Sequence, residues 1–230
     1  MEHRFSRTEL VLGTDNLARL KNRRIAVIGV GGVGGYTVEA LARSGIGALV
    51  LVDDDVVSIS NLNRQIIALE STLGRPKVDV MAERIKQINP ECRVETHQVY
   101  YGRDVHKDII TPDIDFVADA IDSVGAKADL IECTMAMQIP IISSLGMGNK
   151  LDPSRVKVTD ISKTHTCPLA RAVRLALRKR GISQGVPVAF SDEPTVGNKL
   201  GSVPGSTSFV PPAAGLLMAS WIVRQLSREA

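Results

Sequence analysis

The chain has 230 residues, with 28 Lys and Arg against 25 Asp and Glu for a net charge of +3, and is 44% hydrophobic and 23% charged. That composition excludes a largely disordered chain, and no apolar run approaches membrane-spanning length. The length suits one α/β domain, or such a domain with a modest extension, and the mild basicity permits a nucleotide or nucleic-acid partner without requiring one.

From the N-terminus, Met1 to Arg7 is polar and charged, unlike a secretion signal. The first predicted element is a buried strand over 24–28, an apolar run after a basic entry. Glycines follow at once, then helical spacing over 33–44 and a second apolar run, 48–52, closed by Asp53, Asp54 and Asp55. Strand, glycine loop, helix and strand make a βαβ unit with parallel strands. Pro76 suits the first turn of a helix to about 88, stopped by Asn89 and Pro90. Strands are predicted over 93–99, 116–120 and 139–143, with a helix over 126–137. The pattern then loosens to a strand over 155–161 and a basic helix over 169–180. A loop-rich stretch over 185–205, with a short strand at 186–190, and a final helix over 211–226 complete it. The alternation predicts an α/β fold: a doubly wound, Rossmann-like, mostly parallel sheet with a C-terminal α+β extension. We read one domain over 1–230, with a nucleotide-binding core of about 20–146 and a substrate-side extension of about 147–230.

The thiols Cys92, Cys133 and Cys167 stand far apart without a C-x-x-C pair, which argues against structural zinc. Cys92 and Cys133 fall in predicted core elements, and an odd set of thiols is expected of a cytoplasmic protein.

Gly29-Val30-Gly31-Gly32-Val33-Gly34 fits G-x-G-x-x-G between a strand and a helix. Missing side chains let backbone N–H groups and the helix dipole meet a phosphate. Asp53, at the end of the next strand, is placed to accept ribose hydroxyls. The same features serve nicotinamide-dependent dehydrogenases, so the loop alone fixes no chemistry.

The next segment separates the two. Ser60-Asn61-Leu62-Asn63-Arg64-Gln65 and Gly74-Arg75-Pro76-Lys77 bring cations and an amide close behind the acids. Hydride transfer develops no phosphate charge. Attack of a carboxylate on the α-phosphate of ATP does, and Arg64 and Lys77 could neutralise it while Asn61 orients a phosphate. Asp122, in Asp119-Ala120-Ile121-Asp122-Ser123, could hold Mg²⁺.

Together these motifs resemble the ThiF/MoeB/ubiquitin-activating family over about the first two-thirds of the chain. The resemblance implies ATP- and Mg²⁺-dependent adenylation of a carboxylate, usually in a homodimer. Arg7, in Arg4-Phe5-Ser6-Arg7, matches an N-terminal arginine that reaches into the partner subunit's ATP site. Carried over by position, Gly29, Gly31, Gly32, Gly34, Asp53, Asp55, Asn61, Arg64 and Lys77 become nucleotide-site residues. Arg7, Arg64, Lys77 and Asp122 become catalytic, with Asp122 at the metal.

Carrier-protein activators of this family commonly hold paired zinc cysteines, which this chain lacks. Gln87-Ile88-Asn89-Pro90-Glu91-Cys92, Val158-Thr159-Asp160-Ile161-Ser162-Lys163-Thr164, and Pro168-Leu169 before a basic helix are instead similar to the tRNA threonylcarbamoyladenosine dehydratases. That branch implies ATP-dependent adenylation of the side-chain carboxylate of threonylcarbamoyladenosine at position 37 in the tRNA anticodon loop, then ring closure with net loss of water. It also admits sulfur-relay proteins as partners. Adenylation of a ubiquitin-like sulfur carrier is the alternative. The segment 204–211 has no cysteine where longer members carry one, which argues against a covalent thioester step there, and ring closure on an acyl-adenylate needs no enzyme nucleophile. Of the three thiols Cys167, before a helix N-terminus, is the best-placed nucleophile, but a passive thiol is the reading we favour. Arg171, Arg174 and Arg178 share a helical face, with Lys179 and Arg180 at its end. They are either a solvated surface or phosphate contacts for tRNA.

Overall fold

The computed structural model describes residues 2–196 and 204–227. Its strands are β1 (Arg24–Ile28), β2 (Ala48–Val52), β3 (Arg93–His97), β4 (Phe116–Asp119), β5 (Ile141–Ser144), β6 (Val156–Asp160) and β7 (Pro187–Ser191). Its helices are α1 (Ser6–Leu12), α2 (Thr14–Leu20), α3 (Gly34–Arg43), α4 (Lys77–Ile88), α5 (His106–Ile109), α6 (Val124–Ala136), α7 (Pro168–Arg178) and α8 (Val210–Leu226). The strands form one sheet in the order β3-β2-β1-β4-β5-β7-β6. Every neighbouring pair is parallel except β6 and β7, so the expected mostly parallel α/β sheet is present.

The unbroken apolar runs at β1 and β2 arise because both faces of the sheet are covered. Ile25, Val27, Leu49 and Leu51 point into one core, with Leu41 of α3, Met81 of α4 and Met218 of α8. Ala26, Ile28, Val50 and Val52 point into the other, with Leu130 and Ile131 of α6 and Val173 and Leu177 of α7. β3 is an edge strand, and its exposed Arg93, Glu95 and Thr96 blunt it against pairing with another chain. It ends at His97 rather than 99, because Val99 and Tyr100 turn to solvent.

Three features depart from the sequence reading. Residues 6–20 form two helices that were not foreseen; Phe5 and Leu17 bury beside Gly45, while Leu10 and Val11 lie 85% and 84% exposed and blur the helical pattern. The short helix α5 was also unforeseen. Cys133 is not a core residue: it sits half-buried on α6, its Sγ 3.8 Å from the Met137 Sδ, whereas Cys92 is buried as expected. Burial pushes the Cys92 thiol up to about 11.

The C-terminal part is woven into the same body. β7 pairs with β5, and α8 lies on α3 so closely that a Cβ on Gly215 would come within 2.3 Å of the Val33 carbonyl oxygen. Thr37 Oγ1 donates to the Gly215 carbonyl at 3.2 Å. Among the described residues no helix is long and apolar enough to cross a membrane.

Candidate active site

The site forms where the parallel strands end. β1 runs into Gly29, whose φ of +91° is unstrained only without a side chain, and a Cβ there would meet the Ala120 carbonyl oxygen at 2.8 Å. Gly34 opens α3 against the loop itself, and a Cβ there would lie 1.8 Å from the Gly29 oxygen. These two glycines let the backbone fold on itself. Gly31 is different: its nearest neighbour would be the Gln65 side-chain nitrogen at 3.7 Å, so its missing side chain leaves open space for a ligand. Gly32 lies between the methylenes of Arg64 and Pro211 of α8.

Asp53 leaves β2 and turns back to the loop. One carboxylate oxygen accepts the Val30 N–H at 2.6 Å and the other the Asp55 N–H at 3.0 Å. Each oxygen keeps a second lone pair, so hydroxyls of a ribose can still be bound. Burial holds the Asp53 carboxyl above the usual carboxylate range, against the opposing pull of Lys77 and the two N–H groups. Lys77, the first residue of α4 and only 4% exposed, lies under the acids. Its Nζ donates to Asp55 at 2.6 Å and stands 3.6 Å from Asp53.

The stretch after the acids is fixed by a 3₁₀ turn at Ile59–Asn61, where the Asn61 Oδ1 accepts the Ser58 N–H at 3.0 Å. Arg64 follows along the loop, its guanidinium donating to the Ser60 carbonyl and the Asn63 side chain, each at 2.9 Å. Asn63 in turn donates to the Ser206 carbonyl at 2.9 Å, tying the C-terminal segment to the site.

Asp122 lies on the neighbouring crest after β4, exposed and in no hydrogen bond among the described residues. The crest abuts the glycine loop, since Ala120 N–H donates to the Ile28 carbonyl at 2.8 Å. The carboxylates of Asp53, Asp54 and Asp55 lie within 4.8 Å of one another, a group that does not include Asp122.

Thus Gly29, Gly31, Gly32, Gly34, Asp53, Asp55, Asn61, Arg64, Lys77 and, beside them, Asp122 converge. Arg7 does not join them within the chain. Phe5 packs near Gly45 and Arg4 donates to the Ile88 carbonyl, which puts α1 under the opposite ends of the strands, about 16 Å away along the sheet.

Two residues escaped the sequence reading. Gln65 is buried with its side-chain oxygen unpartnered among the described residues, next to Gly31. Its only signal was its place after Arg64. Lys127, fully buried under the Asp122 crest, donates to Asp119 at 2.8 Å and to Ser143 at 3.1 Å. Asp119 also accepts the Ile121 N–H, so the ion pair anchors the crest from below. Burial pulls the Lys127 ammonium down, and Asp119 and then Asp122 oppose it. Its signal was a lysine set between alanines in an apolar helix.

Such a site offers a glycine-rich cradle for a phosphate, a run of acids beside it of which Asp53 is largely buried and Asp54 and Asp55 exposed, a buried lysine beneath them and Arg64 along its rim. A model of the ThiF family matches residues 5–230. The chain belongs to the ThiF family. This ThiF-family chain is 46% identical to the tRNA threonylcarbamoyladenosine dehydratase of Bacillus subtilis, across 100% of this chain and 96% of that protein. It is 33% identical to the Escherichia coli sulfur carrier protein ThiS adenylyltransferase, across 64% of this chain and 60% of that one. Among solved structures, Escherichia coli tRNA N6-threonylcarbamoyladenosine dehydratase in complex with ATP superposes with a TM-score of 0.91 at 38% identity, over 97% of this chain and 93% of that one.

Proposed function

We propose that this chain uses ATP to adenylate the carboxylate of threonylcarbamoyladenosine at position 37 of tRNA, and then closes the ring with net loss of water. The observation that carries the reading is full-length similarity to dehydratases, where similarity to a carrier activator covers less than two-thirds of the chain. The site's chemistry agrees with it. A substrate carboxylate oxygen attacks the α-phosphorus of ATP and pyrophosphate leaves. The neighbouring nitrogen of the same substrate then attacks the acyl carbon, and AMP departs with the carboxylate oxygen. The second step needs no enzyme thiol, because the nucleophile is tethered to its target.

In this reading the glycine loop and the N-terminus of α3 cradle the phosphates, and Asp53 receives the ribose. Arg64 and Lys77 meet the charge that develops on the phosphoryl oxygens. Gln65, with its unpaired side-chain oxygen, orients what enters beside Gly31. Lys77 is held by Asp55 in the ligand-free chain and must share itself with the phosphates. Mg²⁺ would suit Asp122, whose carboxylate is exposed and unbonded, and would neutralise pyrophosphate charge.

We also assign Arg7 to the site of a second copy of the chain. Its guanidinium is exposed, makes no hydrogen bond or ion pair among the described residues, and sits on a helix whose Leu10 and Val11 lack cover. The test of the central claim is ATP–pyrophosphate exchange, stimulated by tRNA carrying threonylcarbamoyladenosine but not by a carrier ending in Gly-Gly, with ATP binding and no NAD binding by calorimetry. Stimulation by the carrier alone, or tight NAD binding without ATP binding, would overturn it.

A further inference from the structure

Between Ile161 and Arg180 the sequence has six Lys or Arg and no Asp or Glu, in a chain whose total charge is only +3. The fold sorts these cations. Arg174 donates to the Thr164 carbonyl at 2.9 Å and to the Thr164 hydroxyl. Arg180 is held by Asp129 at 2.7 Å and Glu132 at 3.2 Å. Both are engaged in holding α7 in place. Arg171, Arg178 and Lys179 are exposed and make no hydrogen bond or ion pair among the described residues. Arg171 and Arg178 lie seven residues apart, on the same side of α7 and about 10 Å along it. Lys163, exposed in the turn that leads into the helix, extends the stripe.

Ordinary solvation does not account for Arg171. It sits in the first turns of α7, at the positive end of the helix dipole, where a cation is unfavourable unless an anion meets it. Arg178 and Lys179 at the far end would be at ease without a partner. A membrane surface is also a poor match, because most of the apolar face of α7 is spent: Ala170, Val173 and Leu177 are buried in the core, and Leu175 is the one large apolar side chain that the helix leaves exposed beside these cations.

Placement supplies the occupant. The N-cap of α7, Cys167, has its Sγ 4.0 Å from the Gly146 carbonyl, just past the end of β5. The helix therefore starts on the same edge of the sheet as the glycine loop, only β4 and β5 away, about 10 Å at the spacing of neighbouring strands. We propose that the outer face of α7, through Arg171, Arg178 and Lys179 with Lys163 at its entry, grips the phosphate backbone of the RNA whose modified base enters the site. This rests on the tRNA reading above.

The test is anisotropy of labelled tRNA with the full-length, ATP-loaded protein, titrated at several salt concentrations between about 50 and 200 mM. Arg171→Ala/Arg178→Ala/Lys179→Ala should weaken binding at least about 10-fold at low salt and flatten the log K against log salt slope by about two to three, while ATP binding by calorimetry stays at the wild-type value. Arg174→Ala, which removes a cation bound to its own chain, should leave that slope unchanged. Wild-type affinity and slope in the triple variant would overturn the proposal and leave the tRNA reading standing. Failure of the wild-type protein to bind tRNA would overturn both.

Discussion

Gly31 and Gly34 stand three positions apart and answer to different demands. A methyl at Gly34 would strike the Gly29 carbonyl oxygen at 1.8 Å, so Gly34→Ala should destabilise by about 3 kcal/mol or more, measured by urea unfolding. Gly31→Ala meets nothing closer than 3.7 Å; its stability should stay within about 1 kcal/mol, while ATP affinity falls about 10-fold or more in calorimetry. Equal stability losses in the two would refute the division of labour. Asp53 permits a pH prediction. Its folded-state pKa is raised by burial, so its contribution favours the fold at low pH and is lost as pH rises through that raised value. Asp53→Asn keeps an acceptor for the Val30 N–H and cannot ionise. In ligand-free protein its stability relative to wild type should be greatest at pH 7 and shrink on acidification towards pH 4. A gap that widens on acidification would contradict the burial argument. The places of the glycine loop and Asp53 were legible in the sequence because backbone sterics constrain residue type at the tight turn and the acid directly follows the apolar run of β2. Gln65 was not, because what marks it is an oxygen left unpaired by the tertiary fold.

Elements were legible where periodicity follows from burial on both faces of the sheet. β1 and β2 match the apolar runs residue for residue, and α4 follows Pro76 as expected. The pattern failed where burial is one-sided or partial: at α1, with Leu10 and Val11 in solvent, and at the exposed end of β3. Helix α6 hides its most consequential residue in an apolar stripe. Lys127→Met would leave Asp119 ionised and unpaired, at a cost of about 3–5 kcal/mol by urea unfolding. Adding Asp119→Leu should recover at least half of that loss, since the pair is then replaced by apolar groups. A double variant no more stable than Lys127→Met alone would show that the pair itself stabilises the crest. Helix α7 begins at Cys167, which is 4% exposed, and its Sγ accepts the Ala170 N–H at 3.5 Å. A thiol engaged as a cap is poorly placed for acylation. Cys167→Ala should cost about 1 kcal/mol of stability and keep most of the tRNA-modifying activity, followed by nucleoside mass spectrometry. If adenylation persists while the product disappears, the thiol-free mechanism is wrong.

On the scale of the whole molecule, the chain lays out a nucleotide site at one end of its sheet and, at the other, an arginine without a partner among the described residues. If Arg7 completes the site of a second copy, Arg7→Ala and Asp122→Ala chains mixed under conditions of subunit exchange should regain up to about a quarter of wild-type activity, because half of the sites then lie in heterodimers and half of those are intact. No recovery would rule out a shared site. Such a partnership is an expectation drawn from family resemblance alone, because neither composition nor periodicity reports what a surface arginine will touch in another chain. The packing of Gly215 on Val33 has a temporal consequence as well. The glycine loop, Asp53 and Lys77 all lie within the first 77 residues, yet the helix that braces the start of α3 spans Val210–Leu226. During synthesis a nascent chain therefore displays the phosphate cradle long before it owns the support that sets its shape. The start of α3 is therefore packed in its final setting only once Val210–Leu226 has been made and laid against it.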